Sequence, residues 1–135
     1  MAQSFTIDGE AVVLGPDGLS QFDELRRARG TRRAILYAFD LLELDGNDMR
    51  EQSLLARKAA LVNLLHGIED GILLNEHVAA DGALVFAAAC KLGAEGIVSK
   101  RVDAPYRSGP YAARIKVRNP ASIAVQRERS QNWNK

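Results

Sequence analysis

Residues Ala34 to Leu42 are apolar on both parities except at Asp40. A strand with that pattern needs cover on both faces of its sheet, which a lone hairpin cannot supply. The chain must therefore build layers around it. Its 135 residues suffice for one domain of ordinary size, and 47% of them are hydrophobic. The run ends at Glu43-Leu-Asp-Gly46-Asn47, which reads as a turn.

The other elements follow from local signals. Ser4 to Leu14 reads as a strand pair, or one long strand broken near Asp8-Gly9. Gly15-Pro16-Asp17-Gly18 is a turn, and Ser20 caps a helix that Gly30 ends after Arg26, Arg27 and Arg29. Ser53 caps a second helix over Leu54 to Leu65, with Leu54, Leu61 and Leu65 as its apolar stripe and Gly67 as its stop. Ile72 to Leu74 is a short strand. Asp81 caps a third helix that runs to about Leu92 and closes at Gly93. Gly96 to Lys100 and Ala113 to Val117 are strands, joined by an exposed link over Arg101 to Gly109, and Asn119-Pro120 ends the last of them. The order of elements is that of a mixed α and β domain. Residues 121–135 read as a polar C-terminal tail, either frayed or docked by Trp133.

Charged residues make up 26% of the chain and the net charge is +1, so any pull on nucleic acid is local. The single cysteine, Cys90, reads as a buried small hydrophobe in an apolar run. Two histidines are too few for a histidine-rich metal site. The chain carries neither an 18-residue apolar stretch nor the basic-then-apolar start of a signal peptide. A cytoplasmic protein is expected.

Three stretches break the pattern of core strands. In Arg114-Ile-Lys116-Val-Arg118, period two puts three cations on one face and Ile115 and Val117 on the other. The cations face either water or an anion such as a phosphate ester. Glu10 shares its strand face with Val12 and Leu14, so it needs a salt-bridge or metal partner, or an exit to solvent. Glu95 and Lys100 frame a strand whose Gly96 permits close backbone approach to a ligand, or a bulge. Asp40 caps or braces a neighbouring loop. Tyr37 and Phe39 share a face, either as core or with an aromatic placed to stack on a base.

These stretches together resemble the adenylating domain of ATP-dependent DNA ligases, within the superfamily of RNA ligases and mRNA capping enzymes. The nearest flavour is the ligase domain of bacterial enzymes of double-strand break repair. The resemblance rests on Asp8-Gly9-Glu10-Ala-Val-Val, on Tyr37-Ala-Phe39-Asp40-Leu-Leu with Leu44-Asp-Gly46, on Leu54, Arg57-Lys58 and Leu61, on Glu95-Gly-Ile-Val-Ser-Lys100, and on Tyr106-Arg-Ser-Gly109 followed by Lys116 and Arg118. It implies an α+β fold over residues 1–120, a partial nucleotidyltransferase (ATP-grasp-like) domain with antiparallel sheets and flanking helices. It implies ATP and Mg²⁺ as cofactors and nicked or broken double-stranded DNA as partner. Glu10 would contact the ribose or help organise the metal, Phe39 would stack on adenine, and Glu95 would serve the metal. Lys100 and Lys116 would hold the α-phosphate, and Arg118 belongs to the same nucleotide-binding motif.

The departures are specific. The family's nucleophile lies in a Lys-x-Asp-Gly motif upstream of Asp-Gly-Glu, and the 135 residues contain no such motif. Lys58, Lys91 and Lys135 lie in the wrong context to replace it. Arg114 stands where bacterial relatives usually carry Trp, and Arg118 replaces a common Lys. No oligonucleotide-binding barrel is expected within these 135 residues. The expectation is a ligase-domain fragment that does not take up AMP alone. The competing readings are a non-enzymatic nucleotide- or nucleic-acid-binding module completed by a partner chain that supplies the missing segment, and a structural or interaction protein on a decayed ligase fold; a sheet edge or apolar face left bare would invite self-association or a partner.

Overall fold

The computed structural model describes residues 2–16, 34–68 and 70–122. The helix expected between Ser20 and Gly30 and the tail bearing Trp133 lie outside the described residues. The elements are β1 (Phe5–Val12), β2 (Ile35–Leu44), β3 (Asn47–Asp48), α1 (Leu54–Leu65), β4 (Ile72–Leu74), α2 (Gly82–Lys91), β5 (Gly96–Lys100) and β6 (Arg114–Arg118). They fall into two compact units. The first spans Met1–Glu76 and Arg101–Gly109, the second His77–Lys100 and Pro110–Lys135.

In the first unit β2 is the organising strand. It pairs antiparallel with β1 and β3 and parallel with β4. The turn expected after it is a two-residue hairpin loop, with Asp45 at φ 48° and Gly46 at φ 84°. Those positive values suit the primed turn that Asp-Gly favours. Asp45 also reaches back to the start of β1, accepting from the Gln3 and Ser4 amides at 2.6 and 3.1 Å. These backbone bonds, Gln3 first, hold its carboxyl below the usual range.

Ser53 Oγ accepts from the Ala56 amide at 3.2 Å and starts α1, as its sequence position predicts. Leu54, Leu61 and Leu65 bury the expected stripe, joined by Arg57 and Lys58. Leu61 and Leu65 pack with Ala38, Leu41 and Met49 into one core. A fully buried leucine such as Leu61 contributes about 1.5–3 kcal/mol. On β2, burial is complete only at Ala38, Asp40 and Leu41, and the other positions are half-buried. The two-faced burial that the sequence predicts holds for the middle of the strand.

The second unit is thinner. Asp81 caps α2 through the Ala83 and Leu84 amides at 2.9 and 3.3 Å, and α2 packs on β5. β5 and β6 pair antiparallel, with Gly96 opposite Arg118 and Lys100 opposite Arg114. α2 buries none of its side chains, and Cys90 is half-buried rather than buried. Ile115 is 57% exposed, so the apolar face of β6 is uncovered by the described residues. One helix and two strands supply too little surface to close a core. Among the described residues, no helix is long and apolar enough to cross a membrane.

Candidate functional site

The basic face foreseen on β6 is larger than the sequence alone indicates. The register sets Lys100 opposite Arg114 and Val98 opposite Lys116. Cross-strand partners share a face, so Lys100 joins Arg114, Lys116 and Arg118. Lys and Arg both bind phosphate through charge-assisted hydrogen bonds, so a shared face of this kind suits a phosphate group. Lys116 and Arg118 are exposed, Lys100 and Arg114 half-buried.

Gly96 opens this pair, and its role is internal. A Cβ there would collide with the Val117 carbonyl oxygen and stand 2.9 Å from the Arg118 Cα. The glycine admits the neighbouring strand. Just beyond, the Asn119 amide donates to the Glu95 carbonyl at 2.6 Å, and Asn119 Nδ2 donates to the Ala94 carbonyl at 2.9 Å. Asn119 Oδ1 accepts from the Ala121 amide at 3.0 Å, and the residue is 2% exposed. The sequence marked Asn119 only as a strand end, yet its side chain ties the roots of β5 and β6. Asn119→Ala leaves Ala94 and Ala121 without these bonds and is expected to lower stability by about 1–3 kcal/mol. Urea unfolding tests this, and a midpoint equal to the wild type would refute the tie.

In the first unit the Asp8-Gly9-Glu10 stretch lies inside an unbroken β1. Asp8 pairs with Asp40 but Gly9 with Ala38, so Phe39 is an extra residue on β2. The break expected in β1 is instead a bulge in its partner. Gly9 is required there, since a Cβ would sit 2.5 Å from the Tyr37 carbonyl oxygen. Glu10 is exposed, so it takes the solvent exit while Val12 enters the core.

Asp40 braces loops, as the sequence suggested, through a partner that the sequence left unassigned. Arg57 holds it in two bonds, Nε to Oδ1 at 2.7 Å and Nη2 to Oδ2 at 3.1 Å, with both side chains 3% exposed. Arg57 Nη1 then donates to the carbonyls of Gln52 at 2.6 Å and Ala104 at 2.9 Å. Its guanidinium lies 6.0 Å from the ring centre of Tyr106, whose hydroxyl donates to Asp8 Oδ2 at 2.8 Å. The signal for Arg57 was present: a cation on the stripe of Leu54, Leu61 and Leu65 needs a buried anion. For Tyr106 the sequence carries no local signal, because its partner lies 98 positions away.

Of the residues expected to handle nucleotide, Glu10 and Phe39 thus lie in the first unit, and Glu95, Lys100, Lys116 and Arg118 in the second. Glu95 is half-buried and adjoins Gly96. Among the described residues, no three His, Cys, Asp or Glu side chains are grouped to hold a metal.

A family model described as ATP dependent DNA ligase domain matches residues 1–118, and the chain belongs to that family. The multifunctional non-homologous end joining protein LigD of Pseudomonas aeruginosa is 42% identical over 106 residues, covering 76% of this chain and 13% of that protein. A probable DNA ligase of a Nocardioides species is 36% identical over 119 residues, covering 83% of this chain and 23% of the relative. The chain therefore spans a minor part of these curated relatives. Among solved structures, the ligase domain from M. tuberculosis LigD superposes with a TM-score of 0.73 at 35% identity, over 84% of this chain and 37% of that one. A mycobacterial DNA ligase D complexed with ATP and MES gives 0.72 at 34% identity. The α+β fold, with antiparallel pairs around two described helices, agrees with both.

Proposed function

We propose that this chain is the nucleotide-holding back portion of an ATP-dependent DNA ligase domain serving repair of broken double-stranded DNA. The face shared by Lys100, Arg114, Lys116 and Arg118 carries this reading, because four cations on adjacent strands suit a polyphosphate. A solved relative complexed with ATP supports the choice of anion. In this reading Lys100 and Lys116 hold the α-phosphate, with Arg118 beside them. Phe39 stacks on adenine, and Glu10 meets the ribose or helps organise the metal. A nucleotide-bound Mg²⁺ needs only one or two carboxylates, since phosphate oxygens and water fill its other positions. In this reading Glu10 and Glu95 would each offer one carboxylate to the ion. When bound, the ion relieves charge on the phosphates.

ATP titrated into the 135-residue chain is expected to bind, and Lys116→Ala to weaken it about tenfold, as befits one lost charge-assisted hydrogen bond. Equal affinity in the variant would remove the basis of this reading. No lysine of the chain lies in Lys-x-Asp-Gly. After incubation with α-³²P-ATP and Mg²⁺, no label is expected to survive a denaturing gel. A surviving band, abolished by mutating one lysine, would reveal a substitute nucleophile.

The exposed side chains of the second unit support one addition. Leu84 and Leu92 are each 71% exposed. Further ligase-domain polypeptide, in this chain or another, covers them in the working enzyme. Adding a polypeptide that bears the Lys-x-Asp-Gly region is expected to restore labelling.

A further inference from the structure

We propose that the Tyr106 hydroxyl is a positioning group for Phe39, acting through Asp8. The inference rests on the reading that Phe39 meets the base. Phe39 is the extra residue of the bulge in β2, and bulges re-aim the side chains they carry. Their geometry is held by what flanks them. Here the flanking cross-strand pair is Asp8 opposite Asp40, two carboxylates on one face, an arrangement that opposes pairing. Each has its own donor. Arg57 takes Asp40 in a buried two-bond pair, and the Tyr106 hydroxyl takes Asp8 at 2.8 Å. Arg57 and Tyr106 also meet, with the guanidinium 6.0 Å from the ring centre. The peptide that carries Tyr106 is fixed in turn. Its amide donates to the Arg50 carbonyl at 2.7 Å, and the Ala104 carbonyl accepts from Arg57 at 2.9 Å. One polar chain thus pins the bulge from both strands. Tyr106 acts on Phe39 through Asp8 and the bulge, so its part is positional.

The test is Tyr106→Phe, which keeps the ring over Arg57 and removes only the hydroxyl. Two ligands are titrated into the variant and the wild type: ATP, and inorganic tripolyphosphate, which has no base to stack. Amide exchange is followed across Ala38, Phe39 and Asp40 without ligand. ATP affinity is expected to fall about fivefold, as for the loss of one ordinary hydrogen bond, with tripolyphosphate affinity unchanged and exchange at the bulge faster. Asp8→Ala is expected to reproduce this pattern. Equal losses for both ligands would reduce Tyr106 to a general structural role and overturn the proposal. Unchanged exchange at the bulge overturns it as well. A wild-type chain that binds no ATP sinks the reading of function instead, and the exchange result then decides alone whether Tyr106 pins the bulge.

Discussion

Asp40→Ala is expected to cost about 3–5 kcal/mol, the loss that follows when a buried ion pair is broken from one side. The reason is the charge left behind. Arg57 is 3% exposed and cannot reach water without disturbing α1. Breaking a buried pair from one side strands the other ion, and that penalty exceeds the net worth of the pair. Replacing both partners, as in Asp40→Leu with Arg57→Met, is expected to recover part of the loss. The Gln52 and Ala104 carbonyls still lose their donor, so recovery stays incomplete. Urea unfolding of Asp40→Leu, Arg57→Met and the double variant measures the cycle. A loss below about 1 kcal/mol for Asp40→Ala would mean that the pair is solvated in solution, unlike the usual buried pair.

Gly96→Ala is the second large effect, and it is local. The added Cβ meets the Val117 carbonyl, which is backbone and cannot rotate aside. Overpacking usually costs about 1–3 kcal/mol, and a backbone neighbour puts this case at the upper end or beyond. The β5–β6 pair is expected to part at that end, with amides from Ile97 to Lys100 exchanging faster and ATP affinity falling with the loss of the shared basic face. Gly82→Ala is the control. Nothing lies within 4 Å of a Cβ there, and the backbone conformation is not restricted to glycine. A variant at position 96 that behaves like the one at position 82 would exclude this close strand approach in solution.

Much of the scaffold was legible in advance, for local reasons. Ser53 and Asp81 cap the helices they were expected to cap, and the Asp45-Gly46 turn closes where Asp-Gly favours it. These signals span a few residues and depend little on the rest of the chain. The bulge at Phe39 was misread as a break in β1, because one extra residue leaves the same mark on either strand until the partners are known. Period two placed Arg114, Lys116 and Arg118 on one face, but only the register of β5 added Lys100 to it. Asp40 was rightly read as a brace, yet naming Arg57 required the packing of α1 on β2. The outward turn of Ile115 could not be read from alternation, which sorts faces without saying what lies against them.

The stretch Arg101–Gly109 belongs to the first unit, while the residues on either side of it belong to the second. This sets an order of events during synthesis. The hydroxyl that takes Asp8 lies 98 positions downstream of it. A ribosome adding about 5–20 residues per second needs roughly 5–20 s to cover that distance. For that time β1 and β2 carry their facing carboxylates before the tyrosine exists. Until Ala104 and Tyr106 emerge, the first unit lacks two of the groups that close it, although most of its sheet has already been made. Its last fastening therefore arrives only after β5 of the other unit has been translated.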